Sequence, residues 1–305
     1  LGKDYRHMCK TCSHKLSALG RDLENEEFYS SFSSVYNSRP DCCPHCQSKH
    51  LIKWGKQKDN LRQRYKCKDC NRVFVSSVGT ICYRSRLSNR IIESIAEGLL
   101  LGLTIKESAC QQNINKNTAW RYRILLLKKI NDIYKSPRLS EKVVIDETYY
   151  PNWGSGITEG KLRGISHQKC SIAIGVDANN QLSTSLTCCG HPNGKDTLDY
   201  WKDNICKGSL VIHDESTAYV FFDCHDGFIG ESVNSKGADK EKLDPVNHAC
   251  SGLQWFLRKH IGIRKAYLPL YLKWYESIKN NHFKTSKGFS KWLLKDLLFA
   301  PPTIN

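Results

Sequence analysis

The spacing of apolar and polar positions changes twice along the chain and divides it into three stretches. Residues 1–38 are polar and Ser-rich, with no sustained period. Across 50–74, apolar and basic residues alternate, and Gly55 and Asn60 supply turn formers, so a short hairpin is predicted. From about residue 88 the period becomes helical. Ile91, Ile92, Ile95, Leu99 and Leu100 form one stripe, which Gly102 ends. Thr104 and Glu107 then read as a capping box opening a short helix through Cys110. Asn113 to Asn117 give a turn and an N-cap, and a third helix is predicted from about Thr118 to Tyr134. "KSPRLS" at 135–140 punctuates the chain and is read as a domain boundary.

Beyond it the pattern turns to β. Residues 142–150, 170–177, 181–189 and 208–214 are apolar, β-branched runs bounded by Gly, Asn and Pro. An amphipathic helix lies between the third and fourth, and helical spacing returns from Val246 and again from Tyr267. Three antiparallel strands, a crossover helix, a parallel strand and trailing helices describe a layered α/β domain with a mixed sheet.

Charge separates these stretches functionally. The chain carries a net +16. Residues 1–137 hold 25 Lys/Arg against 12 Asp/Glu, and the remainder holds 21 against 18. The first half is therefore built to meet a polyanion, and the second half does something else. No apolar run approaches the length of a membrane span and no signal-peptide pattern is present. The scattered cysteines Cys110, Cys170, Cys188, Cys189, Cys206, Cys224 and Cys250 accordingly read as reduced thiols of a cytosolic protein.

Four other cysteines carry a pattern. Cys43, Cys46, Cys67 and Cys70 make two C-x2-C knuckles at the separation of a structural Zn2+ site, a zinc ribbon over residues 39–84. Cys9 and Cys12 form an extra knuckle in the polar segment 1–38, where His7 or His14 could add a ligand. The helices of 85–136 fit a helix-turn-helix. Lys116, Asn117, Thr118, Arg121 and Arg123 lie at the start of its last helix and are suited to phosphates and base edges of duplex DNA. A small helical bundle with a solvated basic face is the plainer alternative.

In the second half, Asp146 follows "VVI" and Asp214 follows "VIH", so each carboxylate stands near the end of a hydrophobic strand. Brought together, two such acids repel, and hard Mg2+ with oxygen ligands relieves the repulsion. Two solvated strand-end acids are the alternative.

The order of zinc ribbon, helix-turn-helix, "VIDETYY", "LRGIS", "LVIHD" and "VNHACSGLQWFLRKHIGIRKAYLPLYLKWY" resembles bacterial insertion-sequence transposases with an RNase H-like catalytic domain. Among these it is similar to the insertion-sequence family numbered fifteen ninety-five. The resemblance covers about residues 40–280. It implies an RNase H-like domain over 140–280, a tail over 281–305, and a metal triad of Asp146, Asp214 and Asn247 holding two Mg2+ ions, with Mn2+ as a substitute. It implies DNA partners, the element's terminal inverted repeats and a target duplex. It also implies a homo-oligomer on that DNA and a location at the bacterial nucleoid, with no membrane role. Relatives carry His and Lys where this chain has Cys250 and Gln254, and Asp244–Pro245 replaces a His-containing stretch. These departures leave a second expectation, a non-catalytic DNA-binding protein that is a regulator or an inactivated transposase. Asp244 is a competing ligand that Pro245 marks instead as a turn residue.

Overall fold

The computed structural model describes residues 39–57, 63–78, 81–152, 167–224 and 227–280. The knuckle at Cys9 and Cys12, "LRGIS" and the tail from 281 lie outside them. The described residues form two compact units, one through Leu126 and one from Leu127 onward.

The first unit opens with a three-stranded antiparallel sheet of β1 (Leu51–Lys56), β2 (Gln63–Cys67) and β3 (Val73–Val75). The alternation at 50–74 does produce a hairpin. Gly55, however, sits inside β1 at a register irregularity between Lys53 and Lys56, where its φ of 70° suits glycine. Asn60 lies outside the described residues. Leu51, Tyr65 and Phe74 pack with Cys43 and Cys67 into a small core.

Three helices follow: α1 (Asn89–Leu100), α2 (Ile105–Gln111) and α3 (Lys116–Ile133). Ser88 caps α1 through Ile91 N. Gly102 ends it in the left-handed region, with its N–H on Leu99 O and the next N–H on Gly98 O. The Thr104–Glu107 capping box forms in both directions. Asn113 takes a positive φ and Asn115 Oδ1 accepts from Asn117 N at 2.8 Å, so the asparagine run makes the turn before α3.

The second unit takes in the end of α3 and a five-stranded mixed sheet, order β6-β5-β4-β7-β8. Its strands are β4 (Lys142–Pro151), β5 (Lys169–Asp177), β6 (Leu182–Cys189), β7 (Leu210–Asp214) and β8 (Ile229–Val233). The pairs β4–β5 and β5–β6 are antiparallel, whereas β7 runs parallel to both β4 and β8. The helices are α4 (Gly194–Asn204), α5 (Val220–Cys224), α6 (Asp244–Lys259) and α7 (Leu268–Asn280).

Alternation along the strands sorts these helices onto two faces. Val143, Ile145, Ala173 and Val211 point toward Trp201 of α4 and toward Tyr219 and Phe222. Gly175 lies on that side as well, because a Cβ there would come within 2.6 Å of the Trp201 ring. The opposite face receives α6 on β4 and β5, and α7 on β6. There Glu276, fully buried in α7, accepts from Thr184 N and Oγ1 and from Ser136 Oγ. Asn280 clamps Leu182 by accepting from its N–H and donating to its carbonyl, both at 2.7 Å.

The segment 135–140 is not a free linker. Leu139 is fully buried in the second unit's core and exchanges backbone hydrogen bonds of 2.8 Å with Asn204 and Cys206. Chain punctuation by Pro and Ser marks the end of α3, while apolar Leu139 ties the segment to the sheet domain.

Candidate functional sites

The two knuckles are built alike. Cys43 N–H donates to Ser48 O and Cys67 N–H to Arg72 O, each five residues on. Gln47 and Asn71, one residue past each second cysteine, both take positive φ near 60°. This shared turn aims all four sulfurs inward, within 4.8 Å of one another. Cys43 and Cys70 Sγ are 3.6 Å apart, and Cys46 and Cys67 Sγ 3.5 Å. A tetrahedral ion with sulfur arms of ~2.3 Å separates its ligands by about 3.8 Å, so the cage could hold a metal ion such as zinc. Backbone hydrogen bonds from Cys70 and Asp69 lower the Cys67 thiol, while that of Cys46, despite a backbone hydrogen bond from Ser48, is raised by desolvation and the crowded neighbouring thiols. Cys42 is not part of the cage, and its Sγ lies instead against Gln47 Oε1.

At the start of α3, Lys116, Asn117 and Arg121 are exposed and Thr118 is half-buried. Arg123 is different. It is 1% exposed, and its guanidinium donates to Leu103 O and Ser108 Oγ. The expectation that Arg123 faces DNA is corrected: at helical spacing it falls on the inner side of α3 and ties α3 to α2. Position near the helix start did not reveal this, because Arg121 and Arg123 lie about 200° apart around the axis.

In the second unit, Val144 pairs with Ile212 in parallel register, and Asp146 and Asp214 each stand two residues beyond that pair, near enough for the charge of Asp214 to act on Asp146. Thr148 meets Gln254 of α6, so Asp146 shares the α6 face. Asp214 is on that face too, since Val211 points to the other. Burial pushes the Asp146 carboxyl up to about 7. A hydrogen bond from Glu147 N opposes that shift, and the charges of Glu147 and Asp214 add to it. Asp214 Oδ1 accepts from Ser216 N at 3.0 Å, shaping the strand end.

Asn247 is exposed in the first turn of α6. Cys250, one turn on, lies near enough to Asp146 and Glu147 that their charges, after burial, raise its thiol further. Gln254 Nε2 donates to Thr148 Oγ1 at 2.7 Å. Cys250 and Gln254 thus put neutral side chains near Asp146 and on Thr148 of β4. Asp244 is the first residue of α6 and is exposed, a helix-opening residue rather than a turn residue.

Glu147, which the sequence reading passed over, and the neighbouring Tyr150 and His213 shape the surroundings. Glu147 accepts from Tyr219 OH on one oxygen and from Tyr149 OH on the other. Tyr150 is buried, with its hydroxyl on His260 O and Ile263 N. His213 is buried in β7 between Asp214 O and Asp223 Oδ1, so it is a strand residue and no ligand. The adjacent acid in "IDET" was the only signal for Glu147.

No helix among the described residues is long and apolar enough to cross a membrane. No family model matches the chain. It is similar to an uncharacterized protein in transposable element ISH50 of Halobacterium salinarum, with 28% identity over 276 residues, covering 84% of this chain and 91% of that one. Solved structures similar to it include a Mos1 strand transfer complex (11% identity, 70% of this chain and 76% of that one, TM-score 0.31) and a pre-cleavage Mos1 transpososome (11%, 70% and 81%, TM-score 0.21). Those scores are too low to establish a shared fold. The relationship in sequence is therefore to a protein carried by a transposable element.

Proposed function

We propose that the chain is a DNA transposase whose catalytic domain is RNase H-like and whose metal ligands are Asp146, Asp214 and Asn247. The observation that carries this reading is that Asp146 and Asp214 stand near the ends of adjacent parallel strands, on the sheet face that carries α6. Two like charges in one half-buried place call for a cation. The donor set of carboxylate and amide oxygens fits Mg2+ or Mn2+ and suits neither a soft metal nor a covalent nucleophile. When bound, such ions supply charge neutralisation and an activated water for phosphodiester cleavage. The protein's own part is positioning. β4 and β7 fix the carboxylates, the Gln254–Thr148 bond holds α6 against β4, and Tyr149 and Tyr219 hold Glu147 away from competing roles. A sheet order of three antiparallel strands followed by two parallel ones, with helices on both faces, agrees with the RNase H-like reading. The relative's place in a transposable element supports the activity.

The ribbon with bound Zn2+ and the helices of 85–136, read as a helix-turn-helix, would grip the element's terminal repeats through Lys116, Asn117, Thr118 and Arg121. The DNA-bound form would be a homo-oligomer at the nucleoid. One observation favours the alternative of a non-catalytic DNA-binding protein: Cys250 and Gln254 bring no cation to the face where phosphate would lie.

A plasmid carrying the reading frame with its flanking DNA tests both. Wild-type protein nicks it only with Mg2+ or Mn2+, while Asp146→Asn and Asp214→Asn bind it equally in gel shift but do not nick. Wild-type binding without any nicking would establish the regulator instead, and an Asp146→Asn variant that nicks at the wild-type rate would sink the triad.

A further inference from the structure

The outer side of α6 carries an unusual apolar residue. Trp255 is 70% exposed, and Ile261, just past the helix, is 79% exposed. At 100° per residue, Asn247, Ser251, Trp255 and Arg258 fall within an arc of about 80°. All four are exposed, and the arc adjoins the edge where Cys250 and Gln254 meet β4. An exposed stripe therefore runs from the proposed third ligand along the helix to Trp255, about 12 Å away at 1.5 Å per residue.

Charge along this stripe departs from the rest of the half. Residues 138–305 are close to neutral, yet 255–265 contain Arg258, Lys259, Arg264 and Lys265 and no acid. Arg258, Arg264 and Lys265 are exposed. A large aromatic face in water, with Arg258 one turn on along the same arc, is complementary to one class of partner, a nucleic-acid strand whose phosphate meets the cation and whose base covers the ring. Bases inside a duplex are already stacked on their neighbours, so the ring can take only a base that has left the stack.

We propose that Trp255, with Arg258 beside it, is a stacking platform for an unpaired nucleotide of the DNA that occupies the catalytic face. The assignment rests on the transposase reading for its partner and adds a specificity determinant to it. The platform selects DNA that is opened or frayed a few nucleotides from the scissile phosphate.

The test is fluorescence anisotropy of the full chain, at one fixed salt concentration, with a blunt duplex and with the same duplex bearing a five-nucleotide single-stranded tail. Wild type binds the tailed probe more tightly, by roughly tenfold, the scale of one base–aromatic stack. Trp255→Ala loses that preference, Trp255→Phe keeps most of it, and Arg258→Ala weakens both probes and lowers the salt slope by about one. Because Trp255 is mostly in water, its truncation leaves no cavity and the fold should survive. Asp146→Asn should keep the full tail preference while failing to nick, which separates the platform from the catalytic reading. Equal wild-type binding of the two probes, or a Trp255→Ala variant that still prefers the tail, overturns the platform and leaves the triad standing. No binding of either probe overturns both.

Discussion

Gln254 Nε2 donates to Thr148 Oγ1 at 2.7 Å, joining the helix that bears Asn247 to the strand that bears Asp146. The contact is specific in a physical sense. Thr148 is 3% exposed, so its hydroxyl depends on this partner. A lysine would donate too, but its charge on that face would also sit close to the carboxylates. Gln254→Ala should lower stability by about 1–3 kcal/mol, the usual cost of stranding a buried hydroxyl, visible as a drop in Tm. Gln254→Lys should keep most of the stability and, if a phosphate-facing cation is what the chain lacks, raise the nicking rate. A Gln254→Ala variant as stable as wild type would show that the bond does not hold α6 in place.

The zinc cage makes a sharper prediction. Among the described residues of 39–78 the buried apolar side chains are few, chiefly Leu51, Tyr65, Phe74, Val75 and the cysteines, so metal binding and folding should be one event. Purified protein should carry one Zn2+ per chain at this cage, Cys67→Ser should lose it, and the ribbon should then become protease-sensitive. Cys42→Ser should change nothing. Full zinc occupancy and protease resistance of the ribbon in Cys67→Ser would defeat the assignment.

Arg121 and Arg123 should separate cleanly. Arg121→Ala, on the exposed side of α3, should leave the unfolding free energy within about 0.5 kcal/mol of wild type and weaken binding to the element's ends more than to random DNA. Arg123→Ala should do the reverse. Losing the bonds to Leu103 O and Ser108 Oγ removes a buried tie between helices and should destabilise by about 1–3 kcal/mol. Equal loss on both DNAs for Arg121→Ala would reduce α3 to a backbone contact.

Much of the architecture was legible because it is written in local chemistry. The Thr104–Glu107 box, Gly102, the Asn113–Asn117 turn and the β-branched runs of β4 and β5 each act through residues adjacent in sequence. What was not legible depends on neighbours distant in sequence. Strand β8 and helix α5 are too short to show a period. The fate of Arg123 was set by Leu103, and the role of Gln254 by Thr148, 106 residues away. The placing of Asp146 beside Asp214 sits between these cases. Each acid could be seen at the end of an apolar run, but only the parallel pairing of Val144 with Ile212 makes them neighbours.

Glu97 in α1 gives a pH-dependent test. Burial alone raises its carboxyl to about 7. A folded-state value above the unfolded one means that folding favours the protonated acid. Stability should therefore fall as pH rises from the ordinary carboxylate range through about 7, and the penalty is complete above that. Glu97→Gln removes the charge. Its stability advantage over wild type should be near zero at pH 4.5, grow through pH 7, and level off at pH 8 at a value on the order of 1 kcal/mol. Comparing variant with wild type at each pH cancels the contribution of zinc loss, which is common to both. An advantage that is flat across pH would show that Glu97 is solvated in the folded state.

The last prediction concerns which residue at the start of α6 serves as the third ligand. Asn247 and Asp244 are both exposed and three positions apart, about one helical turn, so they share one side of α6. If Asn247 ligates through its amide oxygen, Asn247→Ala should slow nicking by about one to two orders of magnitude. It should also raise the Mg2+ concentration needed for half-maximal rate, a weaker effect than losing either carboxylate because a neutral amide contributes less charge. Asn247→Asp adds a negative oxygen at the same place and should lower that Mg2+ requirement. Asp244→Asn removes only a favourable charge at a helix N-terminus, worth about 0.3–1 kcal/mol of stability, and should leave the metal titration unmoved. Reading both the rate and the Mg2+ midpoint matters, because a variant that merely loosens α6 would slow nicking without shifting the midpoint. A dead Asp244→Asn beside an active Asn247→Ala would transfer the role to Asp244 and require the first turn of α6 to present its opening residue to the metal.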